Sequence, residues 1–176
     1  AGSIPLIIIG AITYYSGFIY YLRNIETVAY VTLIFAFFLY FADKFEVKKK
    51  ISNNLSLKSI CIIGILQALA VIPGVSRSGI VITAGRFLNF SRYDSTKISL
   101  FLSIPAIMGA SFLMAKDLFE EGIEFGLVVV FSIILSFIFS YMSIKYFLIF
   151  VKKFSLNLFV VYRIVLSLIL FVIIYN

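Results

Sequence analysis

The chain has 176 residues, 62% of them hydrophobic and only 13% charged, with a formal net charge of +7. A soluble domain is roughly half apolar and a quarter charged, so this balance excludes an ordinary water-soluble globule and points to lipid as the solvent. The positive charge does not read as nucleic-acid binding. Its lysines and arginines sit in short clusters between apolar runs, where such residues orient a membrane protein and touch anionic headgroups.

Taken in chain order, apolar runs alternate with short polar turns. A first span is expected over residues 4–22, then a tight turn at Arg23, Asn24 and Glu26, and a second span over 27–42. A polar linker, 43–58, contains Lys48, Lys49 and Lys50. Two short apolar segments follow, 59–72 and 80–90, separated by Pro73-Gly74-Val75-Ser76-Arg77-Ser78-Gly79. The remaining spans are expected at 95–115, with Pro105 in its middle, at 125–149 and at 156–174. A polar turn with three glutamates, 116–124, and a basic turn at Lys152 and Lys153 separate them. No soluble domain is left over, so residues 1–176 read as one integral-membrane domain. The first residue is Ala1 and an apolar run starts almost at once, so a piece of a longer protein is expected. There is no histidine, and Cys61, the single cysteine, lies within an apolar run as a packing residue. The commonest general base and metal ligand is therefore missing, and no intrachain disulfide can form.

The two short segments decide the topology. At about 11 to 14 residues each, neither crosses about 30 Å of hydrocarbon. They form either one broken helix that crosses once or a re-entrant hairpin that returns to its starting side. If the hairpin returns, one side holds Lys44, Lys48, Lys49, Lys50, Lys58, Arg86, Arg92, Lys97, Lys145, Lys152 and Lys153, and the other only Arg23 and Lys116. A single crossing would divide the charges almost evenly. The bias of basic residues toward the cytoplasm favours the hairpin. The expected fold is an all-α, polytopic membrane helix bundle with five full spans and one re-entrant helical hairpin.

Non-helical backbone at membrane depth survives only where protein or a water-filled cavity satisfies its polar groups. Pro73 stops the first half-helix, and Gly74 and Gly79 allow backbone angles that other residues avoid. Ser76 and Ser78 add hydroxyls, and Arg77 adds a planar fork of donors suited to phosphate. Ser78 and Gly79 are read as preceding the second half-helix, whose N-terminus aims free N–H groups at an anion. All eight acids, Glu26, Asp43, Glu46, Asp94, Asp117, Glu120, Glu121 and Glu124, lie in turns or at span ends. An unpaired arginine within the membrane costs at least ~2.5 to 3.5 kcal/mol. Arg77 therefore needs an anion from a ligand, another chain or another part of the protein. Arg163, some seven residues into the last span, either snorkels to the interface or serves the site. Gln67 is either an interhelical hydrogen-bonder or a group beside the cavity. Ser95, Ser99 and Ser103 share one helix face, as a polar wall or as serines bonding back to their own helix. Ala106, Gly109, Ala110 and Ser111 permit close helix packing.

The stretch Gln67-Ala68-Leu69-Ala70-Val71-Ile72-Pro73-Gly74-Val75-Ser76-Arg77-Ser78-Gly79 resembles the second signature of the bacterial undecaprenyl-diphosphate phosphatases, the bacitracin-resistance proteins of the BacA type. The run Ser99 to Ser111, with Ser103-Ile104-Pro105, is similar to another family segment, and Tyr162-Arg163-Ile164 resembles its last-helix Tyr-Arg-Ile. The resemblance covers nearly the whole chain, which corresponds to about the last two-thirds of a family member. The family's first signature, a Glu-x-x-x-Glu helix and a Pro-x-Ser-Ser-Thr-Gly-His loop related to the second by an inverted repeat, has no match here.

The resemblance implies hydrolysis of undecaprenyl diphosphate to undecaprenyl phosphate and phosphate, recycling the carrier lipid of cell-wall synthesis, in the inner membrane. It implies that Arg77 clamps the pyrophosphate and stabilises developing charge, that Ser76 and Ser78 bind phosphate oxygens, that Pro73, Gly74 and Gly79 shape the loop, and that Gln67 sits beside the cavity. A divalent cation, magnesium or calcium, would take its ligands from the segment before residue 1. These 176 residues alone would then hold half a site and be inactive. The expected partners are a polyprenyl diphosphate and membrane lipid, with a homodimer as a candidate assembly and no nucleic acid. A transporter or flippase of a phosphorylated lipid, and an inactive degenerate homologue, are the alternatives, since broken helices are transporter parts as well.

Overall fold

The computed structural model describes residues 2–120 and 126–176. Among them every regular element is a helix: α1 (Ile4–Tyr15), α2 (Phe18–Leu22), α3 (Ile25–Asp43), α4 (Ile51–Asn54), α5 (Leu57–Gln67), α6 (Arg77–Phe87), α7 (Arg92–Glu120), α8 (Leu127–Lys153) and α9 (Asn157–Tyr175). A 3-10 turn, Ala68–Val71, continues α5. α3, α7, α8 and α9 are long and apolar enough to cross a membrane. α8 packs near its end through Phe147, Phe150 and Val151 but leaves Phe131, Phe137 and Phe139 exposed, and an apolar helix surface that no protein covers has lipid against it. The protein is an all-α, polytopic membrane bundle.

The first expected span needs correction. Residues 4–22 do not form one helix: α1 ends at Tyr15, and Gly17, at φ +69°, turns the chain into the short α2. The twelve residues of α1 reach about 18 Å, too little to cross alone. Hydropathy does not register a left-handed glycine inside an apolar run. Asn24 then caps α3 by accepting the Thr27 N–H at 2.6 Å, so α3 starts at Ile25 rather than Thr27. α7 continues to Glu120, beyond the expected end at 115. Of the glutamates assigned to the next turn, Glu121 and Glu124 lie outside the described residues.

The hairpin returns to the side it came from. The N–H groups of Lys48 and Lys49, in the linker before α5, donate to the Asn89 carbonyl just after α6, at 3.0 and 3.1 Å. Asn89, at φ 68°, ends α6 in the left-handed conformation common at helix C-termini, and its Nδ2 donates to the Glu46 carbonyl. Arg86, also buried, donates to the carbonyls of Asp43, Phe45 and Phe90. The buried Asp43 carboxylate gathers the remaining ends. It accepts Arg92 Nε at 2.6 Å and Nη2 at 2.9 Å, from the start of α7, and the Leu156 N–H at 3.1 Å, from the turn before α9. One carboxylate thus ties the end of α3 to the starts of α7 and α9, with Arg86 of α6 3.9 Å away.

From this knot the hairpin dives into the bundle. Its tip is fixed by Gly74, whose φ is +94° and where a Cβ would lie 2.9 Å from the Val28 carbonyl and 3.2 Å from Thr32 Oγ1. Val28 and Thr32 are fifteen and eleven residues before Asp43 on α3, so the tip lies about 16–22 Å from the knot along that helix. α6 is buried without a break from Ile80 to Arg86, among Ile63, Val75, Phe90 and Ile98 on one side and Ala36, Leu39 and Val160 on the other. Small residues let its neighbours come close. A Cβ on Gly85 would sit 2.6 Å from Ser95 Oγ of α7. Between α3 and α9, fully buried Ser167 donates to the Ala29 carbonyl at 2.8 Å.

Asp43→Asn would leave two arginines facing a neutral amide. Breaking such a buried pair costs about 3 kcal/mol or more. The variant is expected to unfold in detergent at a markedly lower denaturant midpoint, followed by circular dichroism; an unchanged midpoint would contradict the knot's role.

Candidate functional site

α6 begins three residues earlier than its apolar run suggests. Ser76 is its N-cap, accepting the Gly79 N–H on Oγ at 3.1 Å, and Arg77 is its first residue. Ser78 and Gly79 therefore lie inside the first turn, not ahead of the helix. Gly79 is helical rather than left-handed, in contrast to Gly74. What Gly79 supplies is room: a Cβ there would lie 3.0 Å from Ser76 Cβ and 3.3 Å from Arg163 Nη1.

The helical start divides the expected cradle. Ser76, the extended N-cap, brings its Oγ within 3.3 Å of Ser78 Oγ, while Arg77 between them lines a different cavity. Arg77 lines a cavity of about 580 Å³, together with Pro73, Ala70 and Val71 of the hairpin, Ile7 and Gly10 of α1 and Ala106 and Gly109 of α7. Its Nη1 approaches the Ser103 carbonyl at 3.5 Å, and no carboxylate pairs with it among the described residues. Ser76, Ser78 and Gly79 instead line a pocket of about 180 Å³ on the other side of the helix start, together with Tyr162 and Arg163. The expectation of a single cradle built from Ser76, Arg77 and Ser78 is corrected to two cavities sharing one wall.

Arg163 is the group that the sequence left undecided, and its place is clear. It is nine-tenths buried and does not snorkel. Nη2 donates to the Gly74 carbonyl at 2.8 Å and Nε to the Thr32 carbonyl at 3.4 Å, and Thr32 Oγ1 approaches the same Gly74 carbonyl at 3.5 Å. Arg163 thus satisfies the interrupted backbone and turns its remaining Nη1 toward Gly79. Around the start of α6 the donors outnumber their partners. The N–H groups of Arg77 and Ser78 have no partner among the described residues, as helix N-termini leave them. The Ser76 and Ser78 hydroxyls lie 3.3 Å apart and share one hydrogen bond, which leaves one hydroxyl hydrogen of the pair to give. Two arginines, two hydroxyls and a helix N-terminus, with no carboxylate facing them among the described residues, make a place for an anion.

The profile of the family described as Bacitracin resistance protein BacA matches residues 1–169. The chain belongs to the BacA family. A Pelagibacter ubique (strain HTCC1062) protein named undecaprenyl-diphosphatase is 52% identical over 176 residues, 99% of this chain and 69% of the relative. Similarly named proteins of Elusimicrobium minutum (strain Pei191) and Chromohalobacter salexigens are 43% and 36% identical, over 85% and 97% of this chain and 57% and 64% of their own lengths. The chain thus spans between about half and about two-thirds of the curated relatives it matches.

Other residues of this BacA-family chain are placed as follows. Gln67 is fully buried, lines neither cavity, and its amide has no hydrogen-bond partner among the described residues. The three serines of α7 do not form a polar wall. Ser103 bonds back to the Leu100 carbonyl at 2.7 Å, and Ser95 is buried against Gly85. Thr32, which no motif singled out, enters through its contact with Gly74. A threonine on an otherwise apolar helix face was its only signal.

Arg163→Met keeps the apolar stem and removes the donors to the Gly74 carbonyl of the loop and the Thr32 carbonyl of α3. A buried carbonyl left unpaired costs about 1–3 kcal/mol. The variant is expected to lose stability on that scale in detergent unfolding, and an unchanged midpoint would show that the loop does not depend on Arg163.

Proposed function

We propose that the full-length protein hydrolyses a polyprenyl diphosphate to the monophosphate and inorganic phosphate, in the cytoplasmic (inner) membrane, with undecaprenyl diphosphate as substrate. One observation carries the reading: a helix N-terminus at membrane depth that presents Arg77 to a large apolar cavity, with no carboxylate to neutralise it among the described residues. An anion with an apolar tail matches both parts of that cavity. The name undecaprenyl-diphosphatase carried by the relatives supports hydrolysis over transport.

In this reading the diphosphate meets the start of α6. Arg77 holds one face of the anion and stabilises charge that builds on the phosphoryl oxygens as the bond to the leaving oxygen breaks. Ser76, Ser78 and the free amides of the first turn donate to oxygens that reach the other side. Arg163 keeps the loop in place and adds positive potential. Pro73 and Gly74 set the turn, and Gly79 leaves room. The lipid chain lies along the apolar wall of α1 and α7. Apart from the serine hydroxyl oxygens, these groups are donors and cations. Among the described residues no three acids or cysteines come together as metal ligands, and the start of α6 does not fit a divalent cation. No step is routed through one. A magnesium or calcium ion and the group that activates water belong, in this proposal, to residues other than those described.

The test is phosphate release from undecaprenyl diphosphate by the full-length protein in detergent, beside Arg77→Ala. Loss of an electrostatic donor of this kind lowers kcat by about 10²–10³-fold. Release that Arg77→Ala leaves within a few-fold of wild type would remove the site from this loop, and no release by the wild type would remove the hydrolase reading.

A further inference from the structure

The cavity that holds Arg77 contains a second cation that none of the motifs includes. Arg23, between α2 and α3, lines the same space. Most of the remaining wall is apolar, from Leu6 and Ile7 of α1 to Ala106 and Met114 of α7, so among the described residues the two guanidiniums are its only full charges. Arg23 has no carboxylate partner among the described residues. Its guanidinium lies over the Tyr20 ring, 5.9 Å from the centroid, and its N–H donates to the Tyr20 carbonyl. The position along the bundle also fits. Arg23 is five residues before Val28, the residue against which Gly74 packs, so it stands little more than one helical turn beyond the hairpin tip. It is on the side away from the Asp43 knot.

We infer that Arg23 is a second contact for the anionic head of the ligand and sets a preference for a lipid diphosphate over a lipid monophosphate. This inference rests on the reading of the cavity as a lipid-diphosphate site. Arg77, at membrane depth, is costly without an anion, and the exposed Arg23 brings a second positive charge to the same apolar cavity of about 580 Å³, neither having a carboxylate partner among the described residues. A single anion with charge on two phosphate groups meets both, while a monophosphate reaches only one. Arg77, at the helix start, takes the phosphate that reacts. Arg23 touches the head without acting on the bond that breaks, so it belongs to recognition. An arginine serving only as an interfacial anchor would not distinguish one headgroup from another.

The experiment compares full-length wild type, Arg23→Gln and Arg23→Lys. Two readouts are used: kcat and KM for undecaprenyl diphosphate, and binding of a non-hydrolysable prenyl methylenediphosphonate against prenyl monophosphate. Arg23→Gln is expected to raise KM about tenfold, the effect of one lost charged contact, with kcat within about twofold. It is expected to bind the diphosphonate about tenfold more weakly and the monophosphate nearly as before. Arg23→Lys should recover most of the preference, and the wild-type advantage should shrink as salt is raised. Unchanged KM and unchanged headgroup preference in Arg23→Gln would overturn the inference. So would a fall in kcat at constant KM, or an Arg23→Lys variant as impaired as Arg23→Gln. If wild type binds the diphosphonate but releases no phosphate, the hydrolase reading fails while the binding comparison still decides the role of Arg23.

Discussion

A helix interrupted inside a bilayer leaves backbone groups that only the protein can satisfy, and the bundle is arranged around meeting that demand at residues 72–76. The Gly74 carbonyl receives Arg163 from α9 and approaches the Thr32 hydroxyl of α3. Those contacts require α3 and α9 to pack closely, which Ala29 and Ser167 allow. The other half of the demand is met at the opposite end, where Asp43 and Arg86 hold the feet of the hairpin and the neighbouring helix ends together. With its feet fixed there and its tip fixed against Val28, the loop has little freedom to slide.

The same solution creates the chemistry. Satisfying a carbonyl at depth with an arginine brings a permanent positive charge beside the start of α6, where helix geometry already points unpaired N–H groups. Ser76 caps the helix, and the Ser76–Ser78 hydroxyl pair retains one hydrogen to donate. The site is thus a surplus of donors left after the backbone has been satisfied. Beside the Ser76 and Ser78 hydroxyls, the described residues of the site supply cations and N–H donors, which suits holding the charge of a phosphate group.

Much of this was legible beforehand because the signals are local. The lengths of segments 59–72 and 80–90 and the clustering of lysines sufficed to infer the re-entrant hairpin, and Pro73, Gly74, Ser76, Arg77 and Ser78 identified the loop by residue type. The misses are of two kinds. Gly17 and the early start of α6 are backbone events that hydropathy does not register; the serine three residues before Gly79 was the available sign that α6 starts at Arg77. The partnership of Arg163 with Gly74 and Thr32 joins residues 89 and 131 positions apart, and no local pattern encodes it. The separation of Arg77 from Ser76 and Ser78 depends on Ser76 being the extended N-cap, whose Oγ meets Ser78 Oγ, and residue type alone does not show it.

The central claim is that phosphate sits at the N-terminus of α6. The most direct measurement is solid-state NMR dephasing of backbone ¹⁵N by ³¹P in the full-length protein, with a prenyl methylenediphosphonate bound in lipid bilayers. The account expects strong dephasing at the amides of Arg77, Ser78 and Gly79. Dephasing confined to residues around the Asp43 knot, with the start of α6 unaffected, would place the anion at the wrong end of the hairpin and contradict it.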